Sequence, residues 1–247
     1  MAQETKTAFS LGSVLERGFS IYFRNIVTFS LIALLVIIPY ILLLMLISQG
    51  QIAFNQSLMT LVLLLLNLLL TYLATAAIAY GTFKAMQGQG VSISDCLSRG
   101  LALVFPVLGV AILSALAVLL GLVLLIVPGL IVLTMLWVAI PVAVVERPGV
   151  TNAMRRSAEL TKGNRWRVFG IIVILALINA ASGLIVNVPF VTGGAPTSSS
   201  LAWNAGLSGL LAAFQTALAA VMATVVYHDL RVAKEGIGVT EIARVFD

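Results

Sequence analysis

Residues 26–83, 100–145 and 168–228 contain no Asp, Glu, Lys or Arg, and four short segments, 1–25, 84–99, 146–167 and 229–247, contain all of them. The uncharged stretches are 58, 46 and 61 residues long. A helix that crosses a bilayer needs about 20 predominantly apolar residues, so each stretch holds two crossings and is short for three. Two crossings return the chain to the side it left. The pattern predicts an all-α integral membrane protein of six transmembrane helices arranged as three hairpins. All four charged segments then share one face.

The spans predicted are 26–47, 58–83, 101–122, 130–145, 168–188 and 207–227. Pro39, Pro106 and Pro141 should bend the first, third and fourth, because proline removes a helix hydrogen bond and crowds the preceding turn. In the middle stretch the turn signal is Val127-Pro128-Gly129, placed off-centre. Either that turn dips into the bilayer or the fourth span continues past Glu146. Both are open. The residues between spans on the far side, 48–56 and 189–206, carry no charge, and the GGAPTSSS run in the second reads as a polar loop.

Each of the first three charged segments ends in a stretch with helical apolar periodicity. Leu11, Val14, Leu15, Gly18, Phe19, Tyr22 and Phe23 recur at three- and four-residue steps, with Glu16, Arg17, Ser20 and Arg24 opposite. Such a helix should lie in the membrane plane ahead of its hairpin. Leu15-Glu16-Arg17-Gly18, Leu97-Ser98-Arg99-Gly100 and Met154-Arg155-Arg156-Ser157 share the form apolar, any, Arg, small. An aromatic follows each, at Phe23, Phe105 and, with an insertion of about one turn, Trp166. This points to a threefold internal repeat of parallel topology within one membrane domain: 1–83, 84–145 and 146–228, with 229–247 as a tail.

Composition narrows the class. A 61% hydrophobic content and a mean hydropathy of +1.13 exclude an ordinary soluble domain. The net charge of +5 is explained by basic residues that flank spans, so no nucleic acid is expected as partner. All 14 Lys and Arg lie in the four charged segments, which places those segments and both termini in the cytoplasm of a prokaryotic inner membrane. Tyr22, Phe23, Tyr80, Phe83, Trp166 and Tyr227 mark the cytoplasmic interface, and Trp203 the opposite one. Cys96 is the lone cysteine, so no disulfide framework exists, and no cleaved signal peptide is expected.

No Asp, Glu, Lys or Arg falls within a predicted span, which argues against pumps and proton-coupled carriers. The neutral polar groups are Asn67, Thr71 and Thr75 in the second span, Asn179, Ser182 and Asn187 in the fifth, and Gln215, Thr216 and Thr224 in the sixth. Interhelical hydrogen bonding is the economical reading. The alternative is a polar lining for a headgroup or solute through Asn67, Thr71, Asn179 and Gln215. Ser208, Ala212, Thr216, Ala220 and Thr224 recur every fourth residue, a small-residue stripe that allows close packing against the bundle or a partner subunit.

The search for chemistry finds no catalytic residue, no metal-ligand spacing and no cofactor motif. His228 and Asp229 read as the charged end of a span. The basic segment Arg155, Arg156, Lys162, Arg165 and Arg167 suits anionic lipid headgroups, at about 1 kcal/mol per cation near the surface. Topogenic charge alone also accounts for it. Gly163 should end the helix before it.

Residues 156–167, RSAELTKGNRWR, together with Tyr227-His228-Asp229-Leu230-Arg231, Lys234-Glu235-Gly236, Val127-Pro128-Gly129 and Glu146, resemble a group of prokaryotic multi-span proteins. These are the YciC-like proteins and the membrane domain that precedes the catalytic barrel of some glycerophosphodiester phosphodiesterases. The resemblance implies the six-span layout. It carries no catalytic residue over, because the chain has no barrel. The expectation is a non-enzymatic scaffold or accessory factor that meets membrane lipid, a membrane-protein partner or its own copies. A carrier or flippase for a lipid or small apolar solute is the alternative. An impermeant amine reagent applied to intact cells should leave Lys84 unmodified, as read by peptide mass spectrometry; labelling from outside would overturn the orientation.

Overall fold

A computed structural model describes residues 9–48, 55–192 and 198–236, with side chains at 44, 45, 48 and 187–205 not described. The described residues form nine helices and no strand: α1 Leu11–Arg24, α2 Ile26–Ser48, α3 Gln56–Met86, α4 Ile93–Leu124, α5 Ile126–Leu136, α6 Ala139–Val145, α7 Val150–Thr161, α8 Arg165–Thr192 and α9 Ser198–Glu235. Six candidate spans are long and apolar enough to cross a membrane, with α5 and α6 together making one of 20 residues. The chain is a multi-pass membrane protein. At 38 residues α9 extends about 57 Å, well past a ~30 Å hydrocarbon core. Its last two turns carry His228, Asp229, Arg231 and Glu235.

Local signals set the helix ends. The Ser10 hydroxyl accepts from the Ser13 amide at 3.2 Å and starts α1. Asn25 closes it, its side-chain amide donating to the Ile21 carbonyl at 3.0 Å. The Asn55 side chain caps α3 and the Ser92 hydroxyl caps α4, where Asp95 in the first turn suits the helix dipole. Gly163, at φ +90°, follows α7 and turns the chain into α8, as expected.

The three repeat motifs differ in context. α1 and α7 are separate helices, but the second motif lies inside α4, which runs unbroken from Ile93 to Leu124. Gly100 is helical there, and no left-handed residue follows Arg99 to end a turn. The contacts nonetheless correspond. A Cβ on Gly18 of α1 would collide with Met222 of α9, one on Gly100 would come within 2.9 Å of Ala77 of α3, and the Ser157 hydroxyl donates to the Met135 carbonyl of α5 at 2.6 Å. Each motif's small residue thus seats its helix against another: α1 on α9, α4 on α3 and α7 on α5. The arginines follow: Arg17 binds Asp229 at 2.6 Å, Arg99 lies over the Tyr80 ring at 5.8 Å, and Arg156 meets Glu146 at 3.1 Å. The trailing aromatics Phe23, Phe105 and Trp166 are 62%, 79% and 85% exposed, all facing away from the bundle.

Contacts also join the charged segments. Arg24 donates to the Ala85 carbonyl, Arg17 binds Asp229, and Lys234 donates to the Glu159 carbonyl. All four segments therefore meet at one end of the bundle.

Two expectations are corrected. Pro128-Gly129 is not the turn between the third and fourth spans. The chain reverses at Leu125 alone, which is extended (φ −165°), and Pro128 sits in the first turn of α5. Proline suits that turn because its missing N–H has no partner there. The tight reversal is possible because α4 and α5 touch backbone to backbone: a Cβ on Gly121 would lie 2.9 Å from the Gly129 Cα. The fourth span is accordingly not short. It starts at Ile126 and ends at Val145, and it breaks at Trp137–Val138, four residues before Pro141. That is where proline denies a carbonyl its amide and crowds the chain. Pro39 and Pro106 lie within continuous helices.

Gly121→Val should lower the stability of the detergent-solubilised protein by about 1–3 kcal/mol, the usual cost of overpacking. Gly12→Ala, on an exposed helical position with nothing within 4 Å, should raise it slightly. Thermal unfolding compares them, and an unmoved midpoint for Gly121→Val would refute the close α4–α5 contact.

Candidate functional site

The charged end is organised around Tyr227, a fully buried residue of α9. Its hydroxyl donates to Glu146 Oε1 at 2.8 Å and accepts from Arg231 Nη1 at 3.0 Å. Arg156 Nε donates to Glu146 Oε2 at 3.1 Å, and its Nη2 reaches Glu235. Arg231 Nε donates to Glu235 Oε2 at 3.0 Å and closes the ring. Two carboxylates and two guanidiniums alternate, so the cluster is neutral. Burial alone would lower the Arg156 pKa, but Glu235 and Glu146 raise it above the ordinary value. Phe83 of α3 meets the Tyr227 ring edge-on at 5.8 Å. Glu146 is held here by a tight reversal in which Arg147 has φ +49° and Gly149 has φ +89°.

His228 and Asp229 belong to a different group. Asp229 Oδ1 lies 3.0 Å from His228 Nδ1 and 2.6 Å from Arg17. Glu146 is satisfied by Tyr227 and the two arginines instead. The three do not converge into a catalytic constellation. Their geometry supports holding α1 on α9.

The basic segment divides. Arg156 belongs to the ring, which corrects its assignment to the lipid-contact set: a guanidinium bound by two carboxylates is not available to a headgroup. Arg155, Lys162 and Arg167 are exposed, with Arg155 3.9 Å from Glu159 and Arg167 donating to Asn164 at 2.8 Å. Arg165 is partly exposed, and its Nε has no hydrogen-bond partner. Trp166 stands among them, stacked edge-on with Phe169 at 6.1 Å.

The expected polar lining is not continuous. The Asn179 amide donates to Gln215 Oε1 at 2.5 Å, and Gln215 donates to the Ser182 hydroxyl, so these groups join α8 to α9. Asn67 is partly buried on α3 and takes no part. Thr71 instead lines a cavity of about 590 Å³ between α3, α4, the α5–α6 break and α9. Asn187 and Trp203 lie outside the described side chains. In the α9 stripe Ala220 and Thr224 are buried, Ser208 and Thr216 are partly buried, and Ala212 is exposed. The stripe is therefore most deeply buried in its second half.

Two lining groups of the cavity escaped the sequence reading. Trp137 Nε1 and Ser114 Oγ are both buried without a hydrogen-bond partner. The cavity follows from the break: α5 and α6 both pack on α4 and α7, but α6 also reaches α3 and α9, whereas α5 turns to α8 and leaves space beside the bundle centre. A tryptophan four residues before a proline, far from either interface, was the available signal.

A family model described as a domain of unknown function, DUF7847, matches residues 52–230. No curated protein and no solved structure matches the chain.

Removing one member of the ionic ring leaves partners partly buried and uncompensated. Glu146→Gln or Arg156→Gln should each cost about 1–3 kcal/mol, below the 3–5 kcal/mol of a fully buried pair because the groups keep some solvent. The double variant should cost less than the two combined. A double-mutant cycle on unfolding in detergent measures this, and strict additivity would remove the coupling.

Proposed function

The chain belongs to the DUF7847 family, whose description assigns no activity, and we propose that it is a non-enzymatic scaffold or accessory factor of the prokaryotic inner membrane. Its charged end faces the cytoplasm and engages anionic lipid headgroups, alone or beside a membrane-protein partner or a second copy. The observation that carries this reading is the division of labour among the arginines. Arg156 and Arg231 are consumed by the ring, while Arg155, Lys162, Arg165 and Arg167 stay at least partly exposed, the last two on either side of the outward Trp166 in sequence.

The placement is otherwise costly. Arg165 and Arg167 sit in the first turn of α8, where the helix dipole disfavours cations. A phosphate held there would satisfy both the cations and the free amides of the helix start. An indole at the same level is the usual interfacial anchor. The three-hairpin layout, with α1 and α7 as in-plane helices, is supported by the meeting of all four charged segments at one end. A carrier route through Asn67, Asn179 and Gln215 lacks comparable support, because the amides of α8 and α9 bind each other.

Replacing Arg155, Lys162, Arg165 and Arg167 together by Gln should cut the phosphatidylglycerol retained in native mass spectrometry at least tenfold. The effect should shrink at high salt, where screening already weakens the wild type. Phosphatidylcholine retention should not change. Equal retention of phosphatidylglycerol by variant and wild type would eliminate the headgroup role.

A further inference from the structure

We propose that the cavity beside the α5–α6 break is a binding site for a neutral single-chain lipid, whose uncharged oxygen accepts hydrogen bonds from Trp137 Nε1–H and the Ser114 hydroxyl. The site is independent of the headgroup surface and lies among the apolar spans. Its volume of about 590 Å³ falls in the ordinary range of small-molecule sites.

The lining decides the class of ligand. It is largely aliphatic, from Leu119, Leu122, Leu133 and Ile140 among others, and contains no charged residue. A phosphate or carboxylate buried there would lack a counter-ion, which excludes charged headgroups. Its polar lining side chains are neutral: Thr71, Tyr72, Thr75, Ser114, Trp137 and Thr216. Thr75 already donates to the Thr71 carbonyl at 2.8 Å. Trp137 and Ser114 both line the cavity, and Nε1 of the one and Oγ of the other are buried without a hydrogen-bond partner. Buried indole N–H and hydroxyl groups ordinarily find one, and indole can only donate. The complement is therefore an acceptor oxygen on a hydrocarbon chain.

Access comes from the lipid. Ala115 and Leu119 of α4 both line the cavity and are exposed, so its mouth opens on the outer face of the bundle. A chain enters sideways and its oxygen travels inward to the break. The break itself places Trp137, because Pro141 interrupts the helix at that residue.

The test uses the full-length protein in a non-ionic detergent, titrated with methyl oleate, oleyl alcohol and 1-octadecene. These present a carbonyl, a hydroxyl and no oxygen on equal chains. Trp137 fluorescence, in a background carrying Trp166→Phe and Trp203→Phe, reports occupancy. One or both oxygenated probes should bind saturably, at least tenfold tighter than octadecene. Which of the two wins identifies the ester or the hydroxyl as the natural group. Ser114→Ala should weaken the preferred probe about tenfold, the loss of one unshared hydrogen bond, and leave octadecene unchanged. Ala115→Phe should fill the mouth and abolish binding of all three while the thermal midpoint is kept, which separates a blocked site from an unfolded one. Equal affinity for octadecene, or a Ser114→Ala variant that binds the oxygenated probes as tightly as the parent, would overturn the proposal.

Discussion

The ring of Glu146, Arg156, Glu235 and Arg231 around Tyr227 is the interaction on which the arrangement of helices most depends. In lipid, apolar helices gain little by exchanging lipid contacts for one another. Specific association must then come from close packing or from polar groups with no better partner. Here the polar groups come from the end of α6, from α7 and from α9, and Phe83 adds α3 through the Tyr227 ring. The salt link of Arg17 to Asp229 adds α1. Small residues do the rest: Gly18, Gly100 and Ser157 let α1, α4 and α7 approach their neighbours closely.

Much of this was readable from residue order. The absence of charge over three long stretches gave the six spans, because a bilayer enforces that rule more strictly than water enforces any soluble pattern. Gly163 was legible as a helix end, and the shared apolar-x-Arg-small motif picked out Gly18, Gly100 and Ser157, each of which sits at a helix contact. What failed did so for physical reasons. Pro128-Gly129 carries a turn signature, yet the same residues serve the first turn of a helix equally well. Arg156 looked like its neighbours because its partner Glu235 lies 79 residues away. Nothing local distinguishes a paired arginine from a free one. Glu146 and Tyr227 were visible as part of a resemblance, but their contact with each other was not.

The interior shows the same limit. Asn179 and Gln215 were candidates for a lining because amides in a span are conspicuous, and they are joined to each other instead. Trp137 and Ser114 were passed over because an aromatic and a small residue in an apolar run look like packing. Position along a helix tells which face a residue shares, and not whether the opposing helix is present at that level. The break before Pro141 is what removes it.

The reversal at Leu125 bears on how the chain enters its membrane. Leu124, Leu125, Ile126 and Val127 form the tip between α4 and α5, all of them exposed and all aliphatic. The Leu125 amide is spent on the Gly121 carbonyl at 3.0 Å, and Pro128 has no amide to hydrate. Threading this pair across lipid therefore carries no charged or polar side chain to the other side. The two helices can slide in together from one leaflet, tip first, with desolvation confined to the backbone groups at their two adjoining ends.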